Sequence, residues 1–444
     1  MDKLNRKQIE ELIKTSDVFC VLPFKHALLQ PSGRVAICCM SPDHVPNETG
    51  EEILWQSVDF DKDIWQNAFY RKLRTNLING IKSIKCYRCH EQEDTGSKSY
   101  RNGQNQRFLN NIHGAIDTEP RPEIESINVI TGNNHGHPTD WDVRFSRLCN
   151  LKCRMCSSME SSQIYKEGKE YPHLKKFPYF AEEAFDVYDF GEKDPSYVIK
   201  TLPYVDRLKI LGGEPTLDPT VQEVLDEAIR IGRDDIYLDI TSNLTNITDR
   251  WLESLGRFKD VQLQFSIDAT EKTNEYIRSP SKWVQVEENI RRYLNFEAET
   301  DTNWMLSFHQ TVSIYNIFDF WKLHEWIESL RPEDKFKRLE DGFPYHMYVV
   351  HTPVELDARI LPLEYRPKIL EDFNKYRPNI SQNLSTIGIE SVLDILKNNS
   401  RPENADEVLK LCKERSIAID KVRGQYINDY IPRVANVLNS INSG

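Results

Sequence analysis

Three cysteines in one short segment are the residues whose spacing points most directly to chemistry. Cys149, Cys153 and Cys156 stand in the pattern C-x3-C-x2-C. Three thiolates can bind three irons of a cubane 4Fe–4S cluster and leave the fourth iron open to another molecule. A structural zinc ion usually takes four protein ligands, and no obvious fourth partner accompanies this trio. The spacing therefore favours an iron–sulfur cluster with an open iron.

A glycine-rich turn follows an apolar strand farther along the chain. It reads Gly212-Gly213-Glu214-Pro215 after the apolar run 208–211. Two glycines let a backbone approach a ligand closely, and a carboxylate suits an amino donor. On its own, the turn would be an ordinary connection between a strand and a helix. Together with the cysteine trio, and in this order, it resembles the radical S-adenosylmethionine (SAM) enzymes.

The resemblance extends to about residue 315 and implies roles for individual residues. In that family, SAM chelates the open iron through its amino and carboxylate groups. Glu214 resembles the residue that accepts hydrogen bonds from the SAM amino group, and Arg278 resembles the contact to the SAM carboxylate. The residues implied at the SAM site are Gly212, Gly213, Glu214, Pro215, Asn243, Ser266, Arg278 and Met155.

Three of these residues match the family less directly. Asn243 ends a segment that resembles the ribose-contacting strand, and Ser266 resembles a ribose or carboxylate contact. Met155 departs from the pattern, because the family commonly has an aromatic residue before the last cluster cysteine. A methionine can still cover an adenine ring with a soft apolar surface. No spacing singles out a catalytic acid or base, and the residues that could line the pocket include Arg144, Arg147, Asp268, His309 and Gln310.

A second group of cysteines lies near the amino terminus. Cys20, Cys38, Cys86 and Cys89, with a glycine at Gly33, resemble the twitch domain, the one-cluster relative of the SPASM extension on some radical SAM enzymes. The resemblance implies that these four cysteines ligate a second, auxiliary 4Fe–4S cluster. The extension usually follows the barrel, whereas here it precedes the barrel.

Two alternatives stay open at this amino-terminal site. Four thiolates that include a C-x2-C pair also make a good zinc site. Cys39 could replace Cys38 as a ligand, but the spacing after Gly33 favours Cys38, so Cys39 is expected to be a packed free thiol. His90 follows the C-x2-C pair and is expected at the surface.

Between residues 139 and 355, apolar strand-like runs alternate with helical patterns, which favours a parallel sheet with crossover helices. Six such strands resemble the open (β/α)6 partial barrel of the family, so the expected fold class is α/β with a partial TIM-like barrel. The strands are expected near residues 141–146, 206–211, 235–241, 261–267, 304–312 and 345–351. The expected domains are a twitch/SPASM-like domain at 1–110, a linker at 111–138, the barrel at 139–355 and a helical carboxyl-terminal region at 356–444.

Several of these strands carry polar residues on one face. Asp142 and Arg144 alternate in the first strand, and Gln262, Gln264 and Ser266 alternate in the fourth. The interior of a closed small barrel is normally packed with branched apolar residues. A polar interior therefore indicates a cavity for a charged cofactor and substrate. Exposure of these faces to solvent is the alternative.

Composition narrows the compartment and the partners. The 444 residues carry 57 Lys and Arg against 69 Asp and Glu, a formal charge of −12, whereas nucleic-acid binders usually carry a basic face. No apolar run approaches the length of a membrane span, and the amino terminus lacks the apolar core of a signal peptide. The nine cysteines point to metal binding more than to disulfides. We expect a cytoplasmic protein with neither a membrane nor a nucleic acid as its partner.

Residues and resemblance together predict a radical SAM enzyme of the oxidoreductase type. It would reductively cleave SAM to a 5′-deoxyadenosyl radical, abstract hydrogen from a substrate and use an electron donor such as flavodoxin or ferredoxin. Twitch and SPASM extensions frequently accompany peptide modification, so the expected substrate is a peptide or protein side chain. The alternatives are a small-molecule dehydrogenase of the same family and a non-catalytic metal-binding module.

Overall fold

The structure is a computed structural model, and most of the expected linker at 111–138 lies outside the residues that it describes. Among the described helices, none has the length and apolar character needed to cross a membrane. The described residues are 4, 6–41, 44–94, 96, 98–110, 136–180, 193–300, 302–330, 345–377 and 388–441.

The strands of the described residues form one eight-stranded sheet. They are β1 (His26–Leu29), β2 (Val35–Ala36), β3 (Asp140–Val143), β4 (Arg207–Ile210), β5 (Tyr237–Ser242), β6 (Asp260–Ser266), β7 (Asn303–Val312) and β8 (Tyr345–Val349). The order across the sheet is β2-β1-β3-β4-β5-β6-β7-β8, and neighbouring strands are parallel except in the β1–β2 hairpin. The six expected strands are present as β3 to β8. The predicted α/β partial-barrel fold class is confirmed.

The first two strands reach the sheet from the amino-terminal unit. The turn between β1 and β2 places Gly33 at a φ of +83°, a conformation that favours glycine. β1 also pairs in parallel with β3, so that His26 lies opposite Asp140. The amino-terminal unit therefore extends the barrel sheet by two strands, which the sequence did not indicate. The division into domains at residue 110 stays a prediction.

The strands β3 to β6 bury apolar residues on one face and carry buried or half-buried polar residues on the other. In β3, Trp141 and Val143 belong to the main apolar core. Asp142 alternates with them and is only 2% exposed, and Gln262 of β6 is 7% exposed, whereas Gln264 and Ser266 are half-buried. The polar faces of these strands are therefore not fully exposed to solvent, contrary to the alternative.

Ion pairs stabilise the charges of this polar interior. Arg207 of β4 lies 3.3 Å from Asp140 and also pairs with Asp239 of β5, while His26 Nδ1 lies 3.0 Å from Asp140. Burial alone would raise the pKa of Asp140, but Arg207 and His26 hold it well below its usual range. Buried charges persist when they are paired in this way. The interior can therefore stay polar although water has little access to it.

Helices connect the strands and form both ends of the described chain. Their starts follow local rules: before the helix at 219–230, the Asp218 side chain accepts a hydrogen bond from Thr220 N at 3.0 Å, and Pro219 takes the first position. The helices are α1 (Arg6–Thr15), α2 (Leu22–Lys25), α3 (Ala68–Ile78), α4 (Tyr87–Asp94), α5 (Tyr100–Leu109), α6 (Ser162–Glu170), α7 (Ser196–Thr201), α8 (Pro219–Arg230), α9 (Asp249–Leu255), α10 (Glu271–Ile277), α11 (Trp283–Glu299), α12 (Lys322–Ser329), α13 (Arg366–Tyr376), α14 (Ile389–Lys397), α15 (Ala405–Arg423), α16 (Ile427–Tyr430) and α17 (Pro432–Ser440). In the described part of 356–444, the expected helical region is present as α13 to α17.

Candidate active site

The segment with three cysteines follows β3 as an irregular loop, which we call the cysteine loop (residues 148–157). Two backbone bonds fix it to the end of α10: Lys152 N donates to Ser279 O at 2.6 Å, and Arg154 N donates to Ile277 O at 2.8 Å. All three of its cysteines are free thiols. They line one cavity of about 350 Å³, which we call the loop cavity.

The two glycines of the turn after β4 allow this turn to touch the cysteine loop. Glu214 N donates to Leu148 O at 2.7 Å. A side chain on Gly213 would place its Cβ 2.2 Å from the same Leu148 oxygen, and Gly212 has a φ of +130°. The expected reason for these glycines was close approach to a ligand. The structure gives a further reason, which is close approach to the backbone of the cysteine loop.

Glu214 is buried and held in place by three neighbours. Its carboxylate accepts hydrogen bonds from Ser242 Oγ at 2.8 Å, from Asn243 N at 2.7 Å and from Thr216 Oγ1 at 2.8 Å. Burial raises the pKa of Glu214, and these hydrogen bonds oppose that rise. A carboxylate fixed in this way can accept a further bond from a ligand in the loop cavity.

Arg278 stands at the end of α10 and is oriented by a carboxylate. Its Nε donates to Asp268 at 2.6 Å. Burial alone would lower the pKa of Arg278, but Asp268 raises it, so the guanidinium stays charged.

The loop cavity contains nearly every residue that the sequence implied at the SAM site. Its lining includes Met155, Gly212, Gly213, Glu214, Asn243, Ser266 and Arg278 together with the three cysteines. Pro215 is buried at the start of a short 3-10 turn and is not among the lining residues. The roles of these residues stay predictions, but the structure brings them together.

Eight further residues line the loop cavity and were not singled out from the sequence. Thr241 and Ser242 directly precede Asn243, so their place at the end of β5 offered a signal. Tyr179 comes from a short 3-10 turn after α6, and no spacing indicated it. The eight residues are Leu151, Ser157, Glu160, Ser161, Tyr179, Leu211, Thr241 and Ser242.

The three cysteines of the cysteine loop are buried to different degrees: Cys149 is buried, whereas Cys153 and Cys156 are half-buried. Burial raises the pKa of Cys149 to about 12 and raises that of Cys156 well above the usual range. Two donors oppose this at Cys149 Sγ: Leu151 N at 3.4 Å and Asn243 Nδ2 at 3.8 Å. Since metal ligation requires thiolates, bound iron must supply the charge that stabilises them.

The four amino-terminal cysteines line a second, smaller cavity, which we call the amino-terminal cavity. Tyr100 and Arg101 of α5 also line it. Burial raises the pKa of Cys38 to about 12 and that of Cys86 to about 11. Arg101 is itself fixed by Glu93, which lies 2.6 Å away. The expected ligands Cys20, Cys38, Cys86 and Cys89 thus stand together, and their role stays a prediction.

Two expectations about neighbours of this site are wrong. Cys39 is exposed rather than packed, because it lies in the turn that follows β2. His90 is buried at 5% exposure rather than lying at the surface. It belongs to α4, whose buried side carries Cys89 and His90.

Each group of cysteines supplies a different number of thiolates. Within the described ranges, no three His, Cys, Asp or Glu side chains are grouped so that they could hold one metal ion. Three thiolates suit a cubane cluster with one open iron, whereas four thiolates suit either a 4Fe–4S cluster or a zinc ion. The auxiliary cluster at the amino-terminal site therefore stays a prediction, with zinc as its alternative.

Comparison with known proteins agrees with this chemistry. The model of the Radical SAM superfamily matches residues 143–320, which include the cysteine loop, Glu214 and Arg278. Radical SAM enzymes bind a 4Fe–4S cluster and SAM. No curated protein sequence matches the chain.

Solved structures resemble the chain only distantly. Native anSMEcpe with bound AdoMet is 16% identical, with 52% of this chain and 58% of that one covered and a TM-score of 0.35. SuiB of Streptococcus suis bound to S-adenosylmethionine is 15% identical, with 53% and 47% covered and a TM-score of 0.30. The chain thus spans about half the length of these structures. At such TM-scores the alignments carry no argument about substrate or activity.

Proposed function

We propose, for a chain whose residues 143–320 form a radical SAM domain, an enzyme that reductively cleaves SAM and abstracts hydrogen from a substrate. The observation that carries the proposal is the loop cavity, where the three cysteines meet Glu214 and Arg278. The carboxylate of Glu214 suits the amino group of SAM, and the guanidinium of Arg278 suits its carboxylate. The three thiols suit a cluster whose open iron SAM would join. A non-catalytic metal-binding module has no need of this combination.

The side chains of the loop cavity have distinct tasks in this proposal. When bound to the three cysteines, the cluster supplies one electron to SAM, which yields methionine and a 5′-deoxyadenosyl radical. Glu214 accepts the SAM amino group, and Arg278, oriented by Asp268, binds the SAM carboxylate. Met155 and Leu211 line the cavity with apolar surface, which limits the water that a reactive radical meets.

The polar interior next to the loop cavity supports the proposal that the enzyme oxidises its substrate. His309 stands opposite Ser266 in the β6–β7 register, and its ring lies 4.9 Å from His346 and 5.7 Å from Tyr348. Burial and His346 lower the pKa of His309 to about 4, so its imidazole is neutral near pH 7. A neutral imidazole can accept the proton that a substrate radical loses when it also gives up an electron. A second cluster at the amino-terminal cavity would provide a place for that electron.

The substrate class of this proposal is a peptide or protein side chain. It follows from the resemblance of the amino-terminal cysteines to twitch and SPASM extensions, which frequently accompany peptide modification. A small alcohol is the alternative substrate. In both cases the enzyme needs a one-electron donor such as flavodoxin or ferredoxin.

Iron, sulfide and 5′-deoxyadenosine test the proposal. After anaerobic reconstitution we expect about eight irons per chain, and about four in either a Cys149/Cys153/Cys156→Ala variant or a Cys86/Cys89→Ala variant. Only the first variant should lose dithionite-driven formation of 5′-deoxyadenosine. Cys39→Ala is the matched control, because Cys39 is exposed, and it should behave like the wild type.

Two other results would contradict parts of the proposal. A wild-type protein without iron or 5′-deoxyadenosine would overturn the radical mechanism. About four irons, lost only from the cysteine loop variant, would remove the auxiliary cluster and the oxidation that depends on it.

Deuterium transfer identifies the substrate class. The reconstituted enzyme is incubated with SAM and either a perdeuterated peptide digest or a perdeuterated extract of small metabolites. Deuterium in 5′-deoxyadenosine from the digest is the expected result, since hydrogen abstraction moves a substrate hydrogen into this product. Deuterium from the extract alone would favour the small-molecule alternative.

A further inference from the structure

Side chains of α15 contact the backbone of the cysteine loop, and this helix lies outside the radical SAM match at 143–320. Arg423 Nη1 donates to Lys152 O at 2.7 Å, and Arg415 Nη2 donates to Arg154 O. Lys152 and Arg154 are the two neighbours of Cys153. Two arginines of one helix thus bind the carbonyls on both sides of a single cluster cysteine.

The surroundings of Arg423 carry an excess of positive charge. Arg423 binds the carboxylate of Glu167 through two bonds, at 3.0 and 2.6 Å. Lys152 Nζ lies 2.8 Å from the same carboxylate. Two cations therefore share one carboxylate. The side chains of Arg423 and Glu167 are each only 2% exposed, so water screens this pair weakly, whereas the Lys152 side chain is 26% exposed.

The neighbouring arginines, in contrast, form balanced pairs. Arg154 lies 2.6 Å from Asp420, and Arg415 lies 3.3 Å from Glu355. Arg278 pairs with Asp268 as described above. Among these ion pairs next to the cysteine loop, a net positive charge therefore remains only in the group of Arg423, Lys152 and Glu167.

We propose that Arg423 raises the reduction potential of the cluster held by the cysteine loop, and that α15 is its positioning element. Reduction adds one negative charge to the cluster, and a buried net cation nearby stabilises the reduced state. This inference rests on the proposed function, because it requires a cluster on the three cysteines.

The position of Arg423 agrees with this direction. Its guanidinium donates a hydrogen bond to the carbonyl of the residue that directly precedes Cys153, so its positive charge lies beside a cluster ligand. The hydrogen bond to Lys152 O keeps the guanidinium close to the loop backbone.

An EPR-monitored potentiometric titration of the reconstituted full-length chain tests the inference. The signal to follow is the one that changes when SAM is added, because SAM joins only the cluster with an open iron. Arg423→Gln should lower the midpoint potential, and Arg423→Lys, which keeps the charge, should stay near the wild type. Glu167→Gln should raise the potential, because it leaves two cations unbalanced. Lys421→Gln is the matched control: it removes one cation from an exposed position of the same helix and should change nothing.

Each further outcome has one meaning. An unchanged potential in both Arg423→Gln and Glu167→Gln overturns the inference, and so does an Arg423→Lys shift as large as that of Arg423→Gln. If Arg423→Gln fails to hold iron, the Glu167→Gln variant decides: a raised potential supports the inference and an unchanged one overturns it. Absence of any SAM-responsive signal in the wild type overturns the proposed function itself.

Discussion

The loop cavity and the amino-terminal cavity are both built from cysteines, but they differ in what accompanies the thiols. The loop cavity has three cysteines, about 350 Å³ of space, a carboxylate from Glu214 and a guanidinium from Arg278. The amino-terminal cavity is smaller, and it has four cysteines with Tyr100 and Arg101 beside them. Three thiolates leave one iron open, whereas four leave none. The absence of a fourth cysteine and the presence of charged neighbours, rather than the cysteines themselves, therefore distinguish the loop cavity as the proposed site of chemistry.

Gly213→Ala is expected to have the largest effect on the difference between the two cavities. The new Cβ would meet Leu148 O at 2.2 Å, so the turn must move away from the cysteine loop, at a cost of about 1–3 kcal/mol. We expect the loop cluster and SAM cleavage to be lost while the amino-terminal cluster remains. Iron content and 5′-deoxyadenosine measure the two effects. Gly103→Ala is the control, because a Cβ at Gly103 meets nothing within 4 Å; an active Gly213→Ala protein would contradict the account of the turn.

A smaller effect is expected from Glu214→Gln. The substitution keeps the shape of the side chain but removes the negative charge that would meet the SAM amino group. A hydrogen bond to a charged group is worth about 1.5–3 kcal/mol, so the affinity for SAM should fall roughly 10- to 100-fold. Equilibrium dialysis with labelled SAM on the reconstituted protein measures this. Iron content should not change, and Glu223→Gln on the exposed side of α8 should bind SAM like the wild type.

The smallest effect concerns the pH dependence of protein stability. It distinguishes His309, in the polar interior beside the loop cavity, from histidines at the surface. Burial and His346 lower the pKa of His309 to about 4, while Asp239 and Lys209 act in opposite directions. The usual value is about 6.5, so the unfolded chain binds a proton between pH 6.5 and 4 that the folded chain does not bind. His309 therefore stabilises the fold fully above pH 6.5, and this contribution is lost as the pH falls toward 4.

Denaturant unfolding at several pH values measures that contribution. His309→Gln should reduce the loss of stability between pH 6.5 and 4 by about 1–3 kcal/mol. His173→Gln, at an exposed position, should leave the pH profile of the wild type unchanged. Equal profiles for all three proteins would show that His309 is not perturbed by its surroundings.

Short sequence motifs were sufficient to find most of the loop cavity. The cysteine spacing, the Gly-Gly-Glu turn and the strand ends at Asn243 and Ser266 are local patterns, and the structure brings them to one place. Pro215 is the exception, since it begins a buried turn instead of lining the cavity. Cys38 lines the amino-terminal cavity and Cys39 is exposed, but the choice of Cys38 as the ligand stays a prediction.

Contacts between distant segments could not be predicted in this way. The pairing of β1 with β3 places His26 opposite Asp140, and the sequence of neither strand indicates which strand it pairs with. His90 follows the C-x2-C pair and was expected at the surface, whereas packing of α4 buries it. The role of α15 depends on side chains of Arg415 and Arg423 that donate hydrogen bonds to backbone carbonyls. Every residue has a backbone carbonyl, so the sequence does not indicate which carbonyls are bound.

The position of α15 in the chain constrains the order in which the protein is assembled. Arg423 lies 271 residues after Lys152, so the ribosome completes the cysteine loop long before it makes the helix that supports the loop. During that interval the carbonyls beside Cys153 lack their arginine partners. The backbone on both sides of Cys153 therefore obtains its full set of hydrogen bonds only after most of the chain has been synthesised, which would place insertion of the proposed cluster late in the maturation of the protein.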